Sequence, residues 1–176
     1  CTLSLLYDPL RGEEGIRETM RRVYAELDEK FSLGYDIFIL SDRGVDARHA
    51  AVPSLLAVSG VQNHTIRQSI RTQLSILLES GEPTEVHHFA LLVGYGATAV
   101  NPYLALATVE EAVRDGSPSG QGVDEAQAHY IKAVVKGIVK AMSKMGISTI
   151  QSYRGSQIFE AVGLGRELIG EYFPET

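Results

Sequence analysis

The sequence has no tryptophan, and its single cysteine is Cys1. Disulfides within the chain, four-cysteine zinc sites and iron–sulfur clusters are therefore excluded, and a reducing, intracellular compartment is the expected setting. Positive charge is also short: 16 Lys and Arg face 22 Asp and Glu, for a net charge of −6. A dedicated nucleic-acid or anionic-membrane binder needs a basic footprint, which this balance argues against. No apolar run nears the roughly 18 residues of a membrane span. Stretches such as Phe89-Ala90-Leu91-Leu92-Val93 suit a core instead. No basic-then-apolar signal peptide stands at the front. The chain begins on Cys1-Thr2-Leu3-Ser4-Leu5-Leu6, already strand-like, and ends on Tyr172-Phe173-Pro174-Glu175-Thr176, so a fragment of a larger protein is expected.

What is present is ordinary for one globular unit: 176 residues, 44% hydrophobic and 22% charged. A chain of this length buries roughly two-thirds of its unfolded surface, enough for a core without covalent staples. Strand-like and helix-like apolar periods alternate along it. Thr2 to Tyr7 reads as a strand closed by Asp8-Pro9. Ile16, Met20, Val23, Tyr24, Leu27 and Phe31 recur at three and four, predicting an amphipathic helix from Glu13 to about Leu33, ended by Gly34. Asp36 to Leu40 is an unbroken apolar run, as in a strand covered on both faces. A helix from Pro53 through Ile66 follows, then a strand at Leu74 to Leu78. Next come a helix capped by Thr84, a short strand at Ala97 to Val100, and a helix from Pro102 through Val113. Asp115 to Gly122 is loop-like. A long helix from Val123 to about Met145 precedes a fifth strand, Ser148 to Gln151, and short helical segments at Ile158 to Val162 and Glu167 to Tyr172.

This alternation predicts one α/β domain over residues 1–176, with a mainly parallel sheet of about five strands joined by right-handed crossovers. Five strands are too few for an eight-strand barrel, so an open or partial-barrel arrangement is expected.

Candidate sites follow from that topology. The carboxyl ends of parallel strands share one edge, where α/β folds bind ligands and partners. Ser41-Asp42-Arg43, Glu79-Ser80, Asn101 with nearby Tyr103, and Ser152-Tyr153-Arg154 would all fall there. The competing reading is that strand ends carry polar turn residues anyway. His87-His88 beside Glu79, Glu82 and Glu85 invites a metal site. Adjacent helical histidines, however, point about 100° apart and do not readily share an ion, so a helix-end hydrogen bond to a neighbouring strand end is the better expectation. Gly94-Tyr95-Gly96 follows a helix and precedes a strand, the reverse of a dinucleotide loop, and reads as a helix stop. Gly163-Leu164-Gly165 reads as a hinge or cap joining two helical segments. Lys132, Lys136, Lys140 and Lys144 form an i,i+4 row that is either a solvated face or a dock for an acidic neighbour. Cys1 heads a strand without a positioning turn, which weighs against an N-terminal nucleophile.

Longer motifs are more specific. They are Ser41-Asp42-Arg43-Gly44; Glu79-Ser80-Gly81-Glu82 with Glu85-Val86-His87-His88-Phe89-Ala90; Gly94-Tyr95-Gly96-Ala97 with Ala99 to Ala105; Tyr130 through Thr149; Gln151 to Gly155; and Gln157 to Leu164. Through these the chain resembles the central domain of the glutamate synthase large subunit, in that domain's C-terminal part, from about Ile37 onwards. The resemblance implies a parent enzyme that converts glutamine and 2-oxoglutarate to two glutamates with electrons from NADPH or reduced ferredoxin. It implies that the partners of this segment are a glutaminase domain and an FMN-binding barrel with an iron–sulfur cluster, joined by an ammonia tunnel. It further implies a segment with no catalytic residue, cofactor or metal of its own, in the cytoplasm or the plastid stroma. The strand-end residues would then make interdomain or tunnel contacts: Ser41, Asp42, Arg43, Glu79, His87, His88, Asn101, Tyr103, Ser152, Tyr153 and Arg154. One departure is that the usually His-rich stretch here reads Val61 to Arg67, with His64 alone. The rivals are a stand-alone flavoprotein using the same edge, and a free-standing binding module.

Overall fold

The computed structural model describes residues 1–116 and 120–174. Strand β1 (Thr2–Ser4) and the short β2 (Leu6–Tyr7) lead into helix α1 (Gly12–Ser32). Then come β3 (Ile37–Ser41), the short β4 (Ala50–Ala51) and α2 (Ser54–Arg67), followed by β5 (Ser75–Glu79), α3 (Val86–Gly94) and β6 (Ala99–Asn101). Four helices complete the chain: α4 (Tyr103–Arg114), α5 (Val123–Lys144), α6 (Ile150–Tyr153) and α7 (Arg166–Tyr172). The main sheet has the order β1-β3-β5-β6, and every pairing in it is parallel. β2 and β4 form a separate antiparallel pair. The expected α/β architecture with a mainly parallel, open sheet is present, with four strands in place of five.

Burial alternates along each strand and tells the two faces apart. Leu3, Phe38, Leu40, Ile76 and Leu78 lie on one face and are 0–1% exposed. They pack with Met20, Val23 and Leu27 of α1, Leu56, Ala57, Val58 and Val61 of α2, and Leu92 of α3. The alternate residues Thr2, Ile37, Ile39, Leu77 and Ala99 are exposed or half-buried, and Ile37 is 49% exposed. The expectation that β3 is covered on both faces is therefore corrected. Its apolar run is continuous, yet all the helices that build the core lie on one side. Neighbouring parallel strands in chain order, each followed by a helix on that side, give the topology of an uncoiled barrel segment.

The expected fifth strand does not form. Gly146, at φ 70°, turns the chain after α5, and Thr149 Oγ1 accepts from the Ser152 N–H, which caps α6 instead of extending a strand. The predicted helix at 158–162 is irregular chain. There Phe159 packs against Tyr153 and Tyr95, and this aromatic contact outweighs local helix preference. Gly163-Leu164-Gly165 consequently joins no two helices; of the hinge and the cap expected there, Gly165 is the N-cap of α7. Glu85 rather than Thr84 is the N-cap of α3. The loop expected at 115–122 falls partly on 117–119, outside the described residues. On α5 the four lysines are exposed. Of the apolar residues opposite them only Val134 and Met142 are buried; Ile131 and Val135 stay about half exposed.

Candidate functional site at the carboxyl edge of the sheet

Parallel register brings three strand ends into one row. Ser41 pairs with Glu79, and Glu79 with Asn101, so these side chains emerge side by side on the same face of the sheet. Glu79 is the hub of the row. Its Oε2 accepts from Ser41 Oγ at 2.8 Å. Its Oε1 meets Arg43 Nε at 2.7 Å and Asn101 Nδ2 at 3.4 Å. The Arg43 guanidinium, with the Ser41 hydroxyl adding to it, holds the Glu79 carboxyl below the usual carboxylate range.

Behind this row stands Asp42, 4% exposed. Its Oδ2 accepts from Ser80 Oγ at 2.6 Å and from the Gly81 N–H at 2.9 Å, while its own N–H donates to the Glu79 carbonyl at 3.2 Å. The Tyr103 hydroxyl donates to Asp42; burial and that bond push the Tyr103 pKa up to about 12. The Arg43 guanidinium lies over the Tyr103 ring, 4.2 Å from its centre, a cation–π contact that fixes the arginine from above. Glu82 extends the network by accepting from the Ser54 N–H at 2.9 Å and from its hydroxyl at 2.5 Å. Sequence reasoning named Ser80 in the strand-end cluster and Glu82 beside the two histidines, and passed over only Ser54 of this network. The adjacency of Ser54 to the helix-starting Pro53 was the available signal.

Six of the singled-out residues thus meet: Ser41, Asp42, Arg43, Glu79, Asn101 and Tyr103. Ser152, Tyr153 and Arg154 do not join them. With α6 in place of a fifth strand, this stretch sits at the other edge. There Tyr153 is fully buried and its hydroxyl donates to the Ala90 carbonyl at 3.1 Å. The Gly155 N–H donates to the Gly94 carbonyl at 2.7 Å.

His87 and His88 diverge as their spacing requires. His87 meets the edge of Phe159 at 6.1 Å. His88 Nδ1 accepts from the Thr84 and Glu85 N–H groups at 3.2 and 3.3 Å, and so closes its own helix start instead of reaching a strand end. His64 stacks on Tyr24 at 4.5 Å and bonds Asp28 at 2.9 Å, tying α2 to α1. Among the described residues no group of His, Cys, Asp or Glu is gathered to hold a metal ion.

The rim offers acceptors and one fixed cation, not a phosphate cradle. The Gly94-Tyr95-Gly96 turn ends α3, with the Gly96 N–H bonding the Val93 carbonyl. A Cβ at Gly96 would lie 2.3 Å from Gln62 Oε1, so this turn is already filled by protein.

The family model described as the glutamate synthase central domain matches residues 1–165. The chain belongs to that family. The match starts at the first residue, ahead of the Ile37 expected from motifs, and stops just before α7. The glutamate synthase [NADPH] large chain of Bacillus subtilis is 47% identical over 163 residues, covering 93% of this chain and 11% of that protein. The glutamate synthase [NADH] of Saccharomyces cerevisiae is 37% identical over 99% of this chain and 8% of its own length. The ferredoxin-dependent, chloroplastic glutamate synthase of Spinacia oleracea is 36% identical over 95% and 11%. This central-domain chain therefore spans about a tenth of the length of the curated relatives it matches. No helix among its described residues is long and apolar enough to cross a membrane.

Proposed function

We propose that this segment is a non-catalytic scaffold within a glutamate synthase. In this reading it stands between a glutaminase domain and an FMN-binding domain of the same polypeptide and contributes to the route that ammonia takes between them. The parent reaction converts glutamine and 2-oxoglutarate to two glutamates with electrons from a reduced nicotinamide or ferredoxin, in the cytoplasm or a plastid stroma. The observation that carries the reading is the bare face of the parallel sheet. Parallel sheets are ordinarily covered on both faces, and Ile37, Ile39, Leu77 and Ala99 await such a cover. The exposed row Ile131, Val135 and Val139 on α5 supports it too, since an interior domain has neighbours on more than one side.

A covered apolar wall suits ammonia. Free in water near neutral pH it would be protonated and lost, so a conduit has to be dry. The rim closes the end of that wall with paired groups: Glu79 is neutralised by Arg43, and Asp42 is buried under Ser80, Gly81 and Tyr103. Arg43 and Asn101 present their remaining donors to a neighbouring domain.

The residues do not fit the cofactors of the parent. An iron–sulfur cluster needs several thiolates, and the chain has one cysteine. An FMN phosphate would meet Asp42 and Glu79 at the strand ends where barrel folds bind phosphate, with Arg43 already committed to Glu79. Incubation of the 176-residue segment with FMN, followed by desalting, is expected to leave no flavin absorbance. A retained stoichiometric flavin spectrum would overturn the scaffold reading in favour of a flavin-binding domain.

A further inference from the structure

Helix α5 shows solvent two unlike rows of side chains. Its inner side is fixed by α3: Gly137 lies so close to Val86 that a Cβ would have no room. On the same side the Tyr130 hydroxyl donates to the Thr84 carbonyl at 2.9 Å, and the rings of Tyr130 and Phe89 meet edge-on. Turned away from α3, Ile131, Val135 and Val139 are 50, 53 and 58% exposed. Each is followed by a lysine, Lys132, Lys136 and Lys140, and these are exposed too. A spacing of four keeps each set in one row, and successive positions about 100° apart set the rows side by side.

Four of the chain's five lysines stand in this basic row, which Lys144 ends. The other helices pair their own cations. Arg17 bridges to Glu13 and Arg22 to Glu26 on α1, and Arg114 to Glu110 on α4, each pair four residues apart. The fifth lysine, Lys30, bridges to Glu29. Lys132, Lys136, Lys140 and Lys144 make no ion pair among the described residues, in a sequence that holds 22 Asp and Glu. Like charges four apart repel along a helix, and the helix dipole favours only those in its last turn. The apolar row has a hollow beside it: Ile131 and Val135 form one wall of a groove of about 190 Å³, with Phe89 and Val93 of α3 and Val100 of the edge strand β6 opposite.

We propose that this face of α5 seats an acidic amphipathic helix from a neighbouring domain of the parent polypeptide. Its apolar stripe lies on Ile131, Val135 and Val139, and its carboxylates meet Lys132, Lys136 and Lys140. A helix fits because an i,i+4 ridge seats in the groove of another helix, and carboxylates four apart repeat every 6 Å or so (about 1.5 Å per residue), in step with the lysines. A second copy of this chain lacks such a helix: Glu13, Glu14, Glu18 and Glu26 of α1 are held by its own arginines. A net charge of −6 opposes an anionic membrane. The proposal rests on the reading that other domains of one polypeptide surround this segment. That reading is judged separately, by the balance of glutamine hydrolysis and reductant oxidation in Arg43→Ala, so it stands even where α5 proves solvated.

The test is zero-length carbodiimide coupling in the full-length polypeptide, which joins a lysine amine to a carboxylate in direct contact, with the linked peptides read by mass spectrometry. Lys132, Lys136 or Lys140 is expected to couple to Asp or Glu of one segment outside these 176 residues, with no links between isotope-labelled and unlabelled copies. Val135→Asp, which sets a like charge against that segment at an exposed position, is expected to cut the yield several-fold, while Val135→Leu keeps it. No coupling, coupling only to carboxylates of this segment or of a second copy, or an unchanged yield in Val135→Asp overturns the proposal. Protection of these lysines from acetylation only when phosphatidylserine vesicles are added would overturn it in favour of a lipid surface.

Discussion

At the scale of single residues, Glu79 governs the rim because it is the one carboxylate that Ser41, Arg43 and Asn101 all reach. Its depressed pKa has a consequence for stability. Folding favours its charged form, so its contribution is present above the unfolded glutamate value of about 4.3 and fades as pH falls through the lower folded value. Glu79→Gln is therefore expected to lower the melting temperature at pH 7 and to converge on the wild type only once the pH has fallen below that lowered value; denaturation curves followed from pH 7 into the acid range check this. Tyr153 makes the contrasting case. Its hydroxyl is buried on the Ala90 carbonyl, so Tyr153→Phe is expected to cost about 0.5–1.5 kcal/mol in urea unfolding. No change in how any coupled activities communicate should accompany that loss.

At the scale of elements, α7 is pinned by one carbonyl. The Ser59 hydroxyl and Asn63 Nδ2 both donate to the Tyr172 carbonyl, and Arg17 on α1 bridges to Glu167 and Glu171. Either donor alone keeps that carbonyl satisfied. Ser59→Ala and Asn63→Ala are thus each expected to be mild, while the double variant leaves a buried acceptor unpaired and costs roughly 1–3 kcal/mol. A double-mutant cycle by urea denaturation measures the non-additivity.

Most elements could be read from the apolar pattern: α1 buries one stripe, Met20, Val23 and Leu27, and the strands lie between turn residues. The misreadings have physical causes. Thr149 and Ile150 look β-prone, but capping by Thr149 and the Gly146 turn start a helix there. That single switch moved Tyr153 and Arg154 from the rim to the opposite edge. The six residues that do meet were found because parallel register alone places strand ends together. The Ser54–Glu82 bond joins residues 28 apart in sequence and has no local signal. The bare face of β3 was hidden because an unbroken apolar run looks the same whether one face or two are covered.

At the scale of the molecule, the segment has a core on one side of its sheet and an uncovered apolar surface on the other, ended by a charged row. A domain of the glutamate synthase central family with that shape is suited to stand between others rather than to react with substrate. Arg43 faces outward, 55% exposed on its side chain, while remaining tied to Glu79, which makes it the residue best placed to feel a neighbour. The decisive measurement is made in the full-length enzyme: glutamine hydrolysed per reductant oxidised, for wild type, Arg43→Ala and Arg154→Gln. Arg43→Ala is expected to raise that ratio at least twofold, with glutamine hydrolysis itself retained and Arg154→Gln unchanged. A ratio equal to wild type in a stably folded Arg43→Ala enzyme would contradict the role given to the rim.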